Sequence, residues 1–286
     1  MGVIIETPQL LMEIELVSID SLFIHEETIA SALEKLEKEI VAEQILKHPI
    51  IVDSDTLVVL DGMHRVAALR TLNYKLAPVC LVDYQNPSIE VNAWYREFIG
   101  DLSLSEFSKE ISAKDLLDTV QTSSNKAFDL VKNRKTIAAL AIGKNAVLLN
   151  STHNLSIKEI YDEIAKIESL GQELGFKLIY STESDALQSI ESALRTVLIV
   201  PSLTKKEVIS SALNQEIFTQ KTTRHVVPAR PLFVNVPLHW LEQSNLEIAN
   251  QRLRAHLKKK QILKKSPGTI INGRRYEEYT YLFSDS

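Results

Sequence analysis

The sequence predicts an α/β protein on three observations. Residues 13–19 alternate apolar and polar side chains, residues 29–40 carry an apolar stripe at helical spacing, and residues 56–72 run from an apolar stretch through Asp61-Gly62 into a helix-like segment. Alternation places one face of a strand in a core, whereas apolar residues three and four apart line one side of a helix. The composition agrees: of 286 residues, 45% are hydrophobic and 24% charged, the balance of a globular protein with room for one large domain or two ordinary ones.

The elements follow in order. Residues 13–19 read as a half-buried strand, and Ile29, Leu33, Leu36 and Ile40 as the apolar side of a helix, with Pro49 closing that stretch. Residues 50–52 and 56–60 read as two short strands joined by Asp53-Ser54-Asp55. Residues 63–72 read as a helix and 77–82 as another strand, so the first hundred residues form one α/β unit. A second α/β unit begins near Asp101, with a helix over 113–120, a strand over 136–149, and a helix marked by Ile157, Ile160, Ile164 and Ile167. Strands at 177–180 and 197–200 and a helix over 203–213, with Thr204 as its cap, complete it. The polar stretches 121–125 and 150–154 read as loops. The remainder is a helix-strand extension: a basic, proline-containing segment over 221–231, a long helix over 240–263 and a terminal strand over 276–283. The expected domains are therefore 1–100, 101–220 and 221–286, the last completing a substrate cleft between the first two.

Charge and cysteine content exclude several functions. A net charge of −5 gives no bulk electrostatic reason to expect nucleic-acid binding. The single cysteine, Cys80, cannot form an intramolecular disulfide or a Cys-x-x-Cys zinc site. No apolar run reaches the length of a membrane span. Residues 1–11 lack the basic region and apolar stretch of a secretion signal, so a cytoplasmic location with no membrane partner is expected.

The chemistry concentrates at residues 59–68, Val-Leu-Asp-Gly-Met-His-Arg-Val-Ala-Ala. A helix N-terminus after a strand presents backbone N–H groups and partial positive charge to an anion. Gly62 allows close backbone approach, Arg65 offers a guanidinium fork to phosphate oxygens, and His64 offers one more donor. A carboxylate beside phosphates repels them unless a cation intervenes, which makes Asp61 a candidate Mg²⁺ ligand. Asp61-Gly62 alone is also an ordinary turn. The Gly-Lys-Ser/Thr element of a Walker loop is absent.

This string resembles the phosphate motif of the ParB/sulfiredoxin-like fold, with Gly62, Arg65 and Ala68 at its Gly-x-x-Arg-x-x-Ala positions. Four further segments, His25-Glu26, Lys47-His48-Pro49-Ile50, residues 94–101 (Trp-Tyr-Arg-Glu-Phe-Ile-Gly-Asp) and residues 222–228 (Thr-Thr-Arg-His-Val-Val-Pro), make the chain similar to the free L-serine kinases. Those enzymes make O-phospho-L-serine with ATP or ADP. Residues 273–283 are closer to the bacterial siderophore-associated members. The resemblance implies a ParB/sulfiredoxin-like N-terminal domain, Glu26 as general base on the serine hydroxyl, Asp61 as the essential aspartate near Mg²⁺, and Gly62, Met63, His64 and Arg65 as the phosphate cradle. It further implies that Trp94, Thr222, Thr223, Arg224 and His225 line the amino-acid pocket. Met63 stands where archaeal members often have a second histidine.

Each residue also has an ordinary reading. Glu26 and Glu27 suit a helix start, Trp94 suits a core, and His225 and His48 suit structural hydrogen bonding or packing. His153, His239 and His256 form no metal-ligand grouping. The competing function is a ParB-like nucleotide-dependent DNA-binding regulator, supported by the shared turn and by seven Lys/Arg without an acid over 252–265. No helix-turn-helix follows the first unit. A sulfiredoxin-like redox enzyme needs a cysteine in the turn, where residues 61–65 have none.

Overall fold

The computed structural model describes residues 2–285; residues 1 and 286, the outer ends of the first and third expected domains, lie outside the described residues. The fold is mixed α/β, as the sequence patterns predict. The chain divides into two compact units, each built from separated stretches: 1–90, 205–217 and 225–286 in the first, 91–204 and 218–224 in the second. Residues 225–286 thus belong to the same unit as the N-terminal ninety residues, and 221–224 to the other.

The first unit is built on a five-stranded sheet whose middle strand, Leu76–Val82, pairs antiparallel with Leu11–Ser18 and parallel with Ile50–Asp53. Its residues are almost all buried, as expected of a strand covered on both faces. Val3–Glu6 and Val59–Asp61 form the two edges. Helix Ala30–Glu43 follows the anticipated stripe, but it ends before Pro49: Gln44 takes a left-handed φ of 58°, and a short strand, Ile45–Leu46, intervenes. Helix Met63–Thr71 starts directly after the edge strand Val59–Asp61.

In the second unit six antiparallel strands stand in the order Lys177–Ser181, Tyr95–Ile99, Thr196–Ile199, Ala138–Ile142, Asn145–Asn150, Asp118–Ser123. Ala139, Ala141, Val197 and Ile199 pack with Ala127 and Val131 of helix Ser124–Lys132 and with Ala186 and Ile190 of helix Glu183–Glu191. The small alanines let helices approach the sheet closely.

Four sequence expectations are corrected. The helix placed at 113–120 lies at Leu104–Ala113, started by the Ser103/Glu106 capping box, and 118–123 is a strand. The loop placed at 121–125 is the end of that strand and the start of helix Ser124–Lys132, capped by Ser123. The single strand over 136–149 is a hairpin, turned at Gly143 with φ 57°. The long helix over 240–263 is helix Leu246–Leu257, capped by Asn245, followed by strand Lys260–Lys265. That strand pairs antiparallel with Tyr279–Asp285, which itself runs parallel to Ala229–Leu232. A pairing so remote in sequence leaves no local trace to distinguish it from a helix.

Candidate phosphoryl-transfer site

Asp61 ends an edge strand, and Gly62 turns the chain into helix Met63–Thr71 with φ 109°. The Arg65 and Val66 amides both donate to the Gly62 carbonyl, so the amides of Met63 and His64 precede the first intrahelical bond. This is the helix N-terminus expected from the sequence. The reason for the glycine is sharper than phosphate access. A Cβ on Gly62 would lie 2.7–3.0 Å from Nη2, Nε and Cζ of Arg65, so the guanidinium lies over the glycine Cα.

Arg65 is committed to the protein rather than pointing freely at a ligand. Its Nη1 donates to the His48 and Pro49 carbonyls, 3.2 and 2.7 Å away, and its Nη2 donates to Asp61 Oδ2 at 2.9 Å. A second guanidinium meets the same oxygen: Arg230 Nη1 donates to Asp61 Oδ2 at 2.8 Å, while Arg230 Nε donates to Glu278. Burial works to raise the Asp61 pKa, but Arg230 and then Arg65 more than offset it and hold the carboxyl well below the usual carboxylate range. Asp61 still exposes 37% of its side chain, enough for a ligand to reach it.

These arginines change the electrostatic argument for a metal. The repulsion between Asp61 and a phosphate is already relieved by two cations of the protein itself. Among the described residues no group of three or more His, Cys, Asp or Glu side chains could hold a metal ion. Asp61 therefore fits Mg²⁺ as a carboxylate ligand to an ion that takes most of its ligands from water and nucleotide oxygens, a common arrangement for this ion.

Histidines brace the same region in neutral form. His64 Nε2 accepts from the Ile29 amide at 3.0 Å, tying the helix after the turn to the segment that carries Glu26. His25, fully buried, hydrogen-bonds the Val59 backbone, and burial, then the nearby His225, push its pKa well down. His225 bonds the Leu60 carbonyl, and its Nε2 lies 2.7 Å from the Tyr84 hydroxyl. A carbonyl only accepts, so the ring is protonated on the Leu60 side, and Nε2 accepts the Tyr84 proton. Burial is the main cause that lowers the His225 pKa to about 4. Residues 23–29 are thus fixed against the strand 59–61 and the turn. The backbone adds to this, with the Val59 amide donating to the Phe23 carbonyl at 2.8 Å. Glu26 is half-buried within this braced segment.

The second unit holds the remaining sequence-predicted residues: Trp94, Thr222, Thr223 and Arg224. The Arg224 guanidinium lies 5.7 Å from the Trp94 ring centroid, and Lys221, which the sequence reading passed over, lies at 4.9 Å. Thr222 is fully buried and its hydroxyl donates to the Thr219 carbonyl. Arg96, also fully buried, donates to the Trp94 carbonyl at 2.5 Å and to Glu168 at 2.6 Å, and so anchors the tryptophan backbone.

Sequence reasoning missed Arg230, Glu278 and Tyr84, and it quoted His25 only as the neighbour of Glu26. Arg230 left one signal, a lone charge inside the apolar run Ala229-Arg230-Pro231-Leu232, which demands an acidic partner if buried. Glu278 left none.

Relatives of known activity match most of the chain. An ATP-dependent L-serine kinase of Staphylothermus marinus is 30% identical over 253 residues, 84% of this chain and 98% of that protein. An ADP-dependent L-serine kinase of Thermococcus kodakarensis is 24% identical over 79% of this chain and 91% of its own length. A solved free serine kinase in complex with AMP superposes with a TM-score of 0.66 at 26% identity, covering 80% of this chain and 93% of that one. No protein-family model matches the chain.

Proposed function

The chain belongs to the L-serine kinases, and on that premise we propose that it transfers a phosphoryl group from ATP or ADP to the hydroxyl of free L-serine, giving O-phospho-L-serine. The structural observation that supports this reading is a solvent-reachable Asp61 at the N-terminus of helix Met63–Thr71, surrounded by guanidinium groups. Phosphoryl transfer needs positioning and charge neutralisation more than covalent chemistry from the protein, and these groups supply both.

In the proposed reaction the serine oxygen bonds to the terminal phosphorus as the bond to the bridging oxygen breaks. The hydroxyl proton passes to Glu26, and ADP or AMP leaves according to the donor. A serine hydroxyl is a weak nucleophile until a base takes its proton in the transition state, and the braces on residues 23–29 give Glu26 a fixed position. The turn at Gly62, Met63 and His64 receives phosphate oxygens through its backbone amides, and Arg65 shapes that turn from above Gly62. Mg²⁺, when bound, supplies further charge neutralisation at the phosphates, and Asp61 is the residue that would hold it. Trp94, Thr223 and Arg224 are assigned to the amino acid: the guanidinium suits its carboxylate. Thr222 and His225 are assigned to the frame around the substrate, because the structure commits the Thr222 hydroxyl and both His225 ring nitrogens to protein partners.

The test incubates the protein with L-serine and Mg²⁺, with ATP and ADP in separate reactions, and detects O-phosphoserine by mass. Product with at least one donor is expected, and none with either donor would refute the reading. Glu26→Gln is expected to abolish product while calorimetry still detects nucleotide binding; full activity in that variant would remove Glu26 from the mechanism.

A further inference from the structure

Arg230 is a buried guanidinium, 9% exposed, that spends its fork in two directions. Nη1 holds Asp61 and Nε holds Glu278, whose side chain is also largely buried. Asp61 is shared with Arg65, so Glu278 supplies the second negative charge that the two buried guanidiniums need. The arrangement of these contacts has a further consequence. Arg230 lies on strand Ala229–Leu232, opposite Thr280 of the parallel strand Tyr279–Asp285, and Glu278 immediately precedes that strand. The C-terminal strand thus sets where Glu278 stands, Glu278 sets the plane of the guanidinium, and the guanidinium meets Asp61. Arg65 reaches the same oxygen, Oδ2, from the other element, at 2.9 Å against 2.8 Å for Arg230. Two planar donors converging on one carboxylate oxygen fix the rotation of the carboxylate and leave Oδ1 outside the clamp.

We infer that Arg230, oriented by Glu278, is a positioning residue for phosphoryl transfer: with Arg65 it pins Asp61 by Oδ2 and presents Oδ1 to the nucleotide side of the site. The inference rests on the kinase reading above. It makes the last strand of the chain part of the catalytic apparatus, although that strand is far from the phosphate turn in sequence.

The test uses Glu278→Gln and Arg230→Lys in the full chain. Glu278→Gln keeps the size of the side chain and removes the charge that orients the guanidinium. Arg230→Lys keeps the positive charge and removes the fork, which an ammonium does not replace. With serine and the preferred donor, kcat is expected to fall about tenfold in Glu278→Gln and about a hundredfold in Arg230→Lys, the scale of a misplaced reacting group. KM for serine and nucleotide should stay within about twofold in both. A crystal structure of Glu278→Gln should show the Asp61 carboxylate rotated from its wild-type orientation. Wild-type kcat in both variants, a loss carried entirely by KM, or a loss that matches the fraction unfolded would each overturn the inference. If the unmodified protein makes no O-phosphoserine with either donor, the kinase reading fails instead, and the Asp61 orientation in the Glu278→Gln crystal decides the positioning claim by itself.

Discussion

Gly62 has two independent reasons to lack a side chain. Its φ of 109° lies in the region that only glycine adopts without strain, and the Arg65 guanidinium occupies the place of a Cβ. Gly62→Ala therefore both strains the backbone and pushes Arg65 off Asp61. Destabilisation of about 1–3 kcal/mol from the backbone alone is expected, read from the urea midpoint, together with a fall in kcat that the stability loss does not account for. An alanine variant with wild-type urea midpoint and kcat would show that the turn tolerates a Cβ. The motif was legible in sequence because the strand, the glycine and the helix adjoin. What Arg65 does was not legible, since its acceptors, the carbonyls of His48 and Pro49, depend on how the preceding strand is placed.

Short elements around the turn are braced by neutral imidazoles, and this has a pH consequence. His48 Nδ1 accepts from the Phe233 amide at 3.1 Å, so protonation there breaks a bond, and burial, then Arg65, push its pKa down to about 4. His225 is likewise held near 4. An unfolded chain protonates both near 6.5, whereas the folded chain resists. The lowered pKa values contribute stability that is complete above pH 6.5 and is lost as pH falls from 6.5 towards 4. The unfolding temperature should drop across that window, and NMR titration should place both imidazoles near pH 4. Titration near 6.5 would refute the buried, neutral assignment. Elements with a local signature were readable: Ser156 and Glu159 form the capping box of helix Ile157–Glu173, and the anticipated Ile160, Ile164 and Ile167 follow it. Strand Lys260–Lys265 was misread because its partner, Tyr279–Asp285, supplies the pairing from beyond an intervening hairpin. Tyr84 was missed for a related reason: its partner, His225, lies far along the chain, and Tyr84 lies in no motif.

At the scale of the whole molecule, the N-terminal unit is not the first hundred residues folded by themselves. The Asn250 side chain accepts from the Leu16 amide at 2.8 Å and donates to its carbonyl at 2.9 Å, in the middle of strand Leu11–Ser18. The Lys75 and Leu76 amides both donate to the Leu241 carbonyl. Val236–Pro237 pairs with Ile45–Leu46, and helix Leu246–Leu257 buries Ala249, Leu253 and Leu257. A fragment of residues 1–100 loses all of these partners at once. It exposes apolar surface on the Leu11–Ser18 strand and leaves the Asp61 clamp with Arg65 alone. Burying a large aliphatic side chain is worth about 1.5–3 kcal/mol, against a typical domain stability of about 5–15 kcal/mol, so the loss of several such contacts removes most of the margin. The fragment is expected to show no cooperative thermal transition by circular dichroism, whereas the full chain shows one. A sharp transition in the fragment would mean that the late segments decorate an independent domain. The expected outcome instead makes residues 225–286 a part of the same folding unit as the phosphate turn, so that substitutions near residue 278 reach Asp61 through packing that the 1–100 fragment lacks.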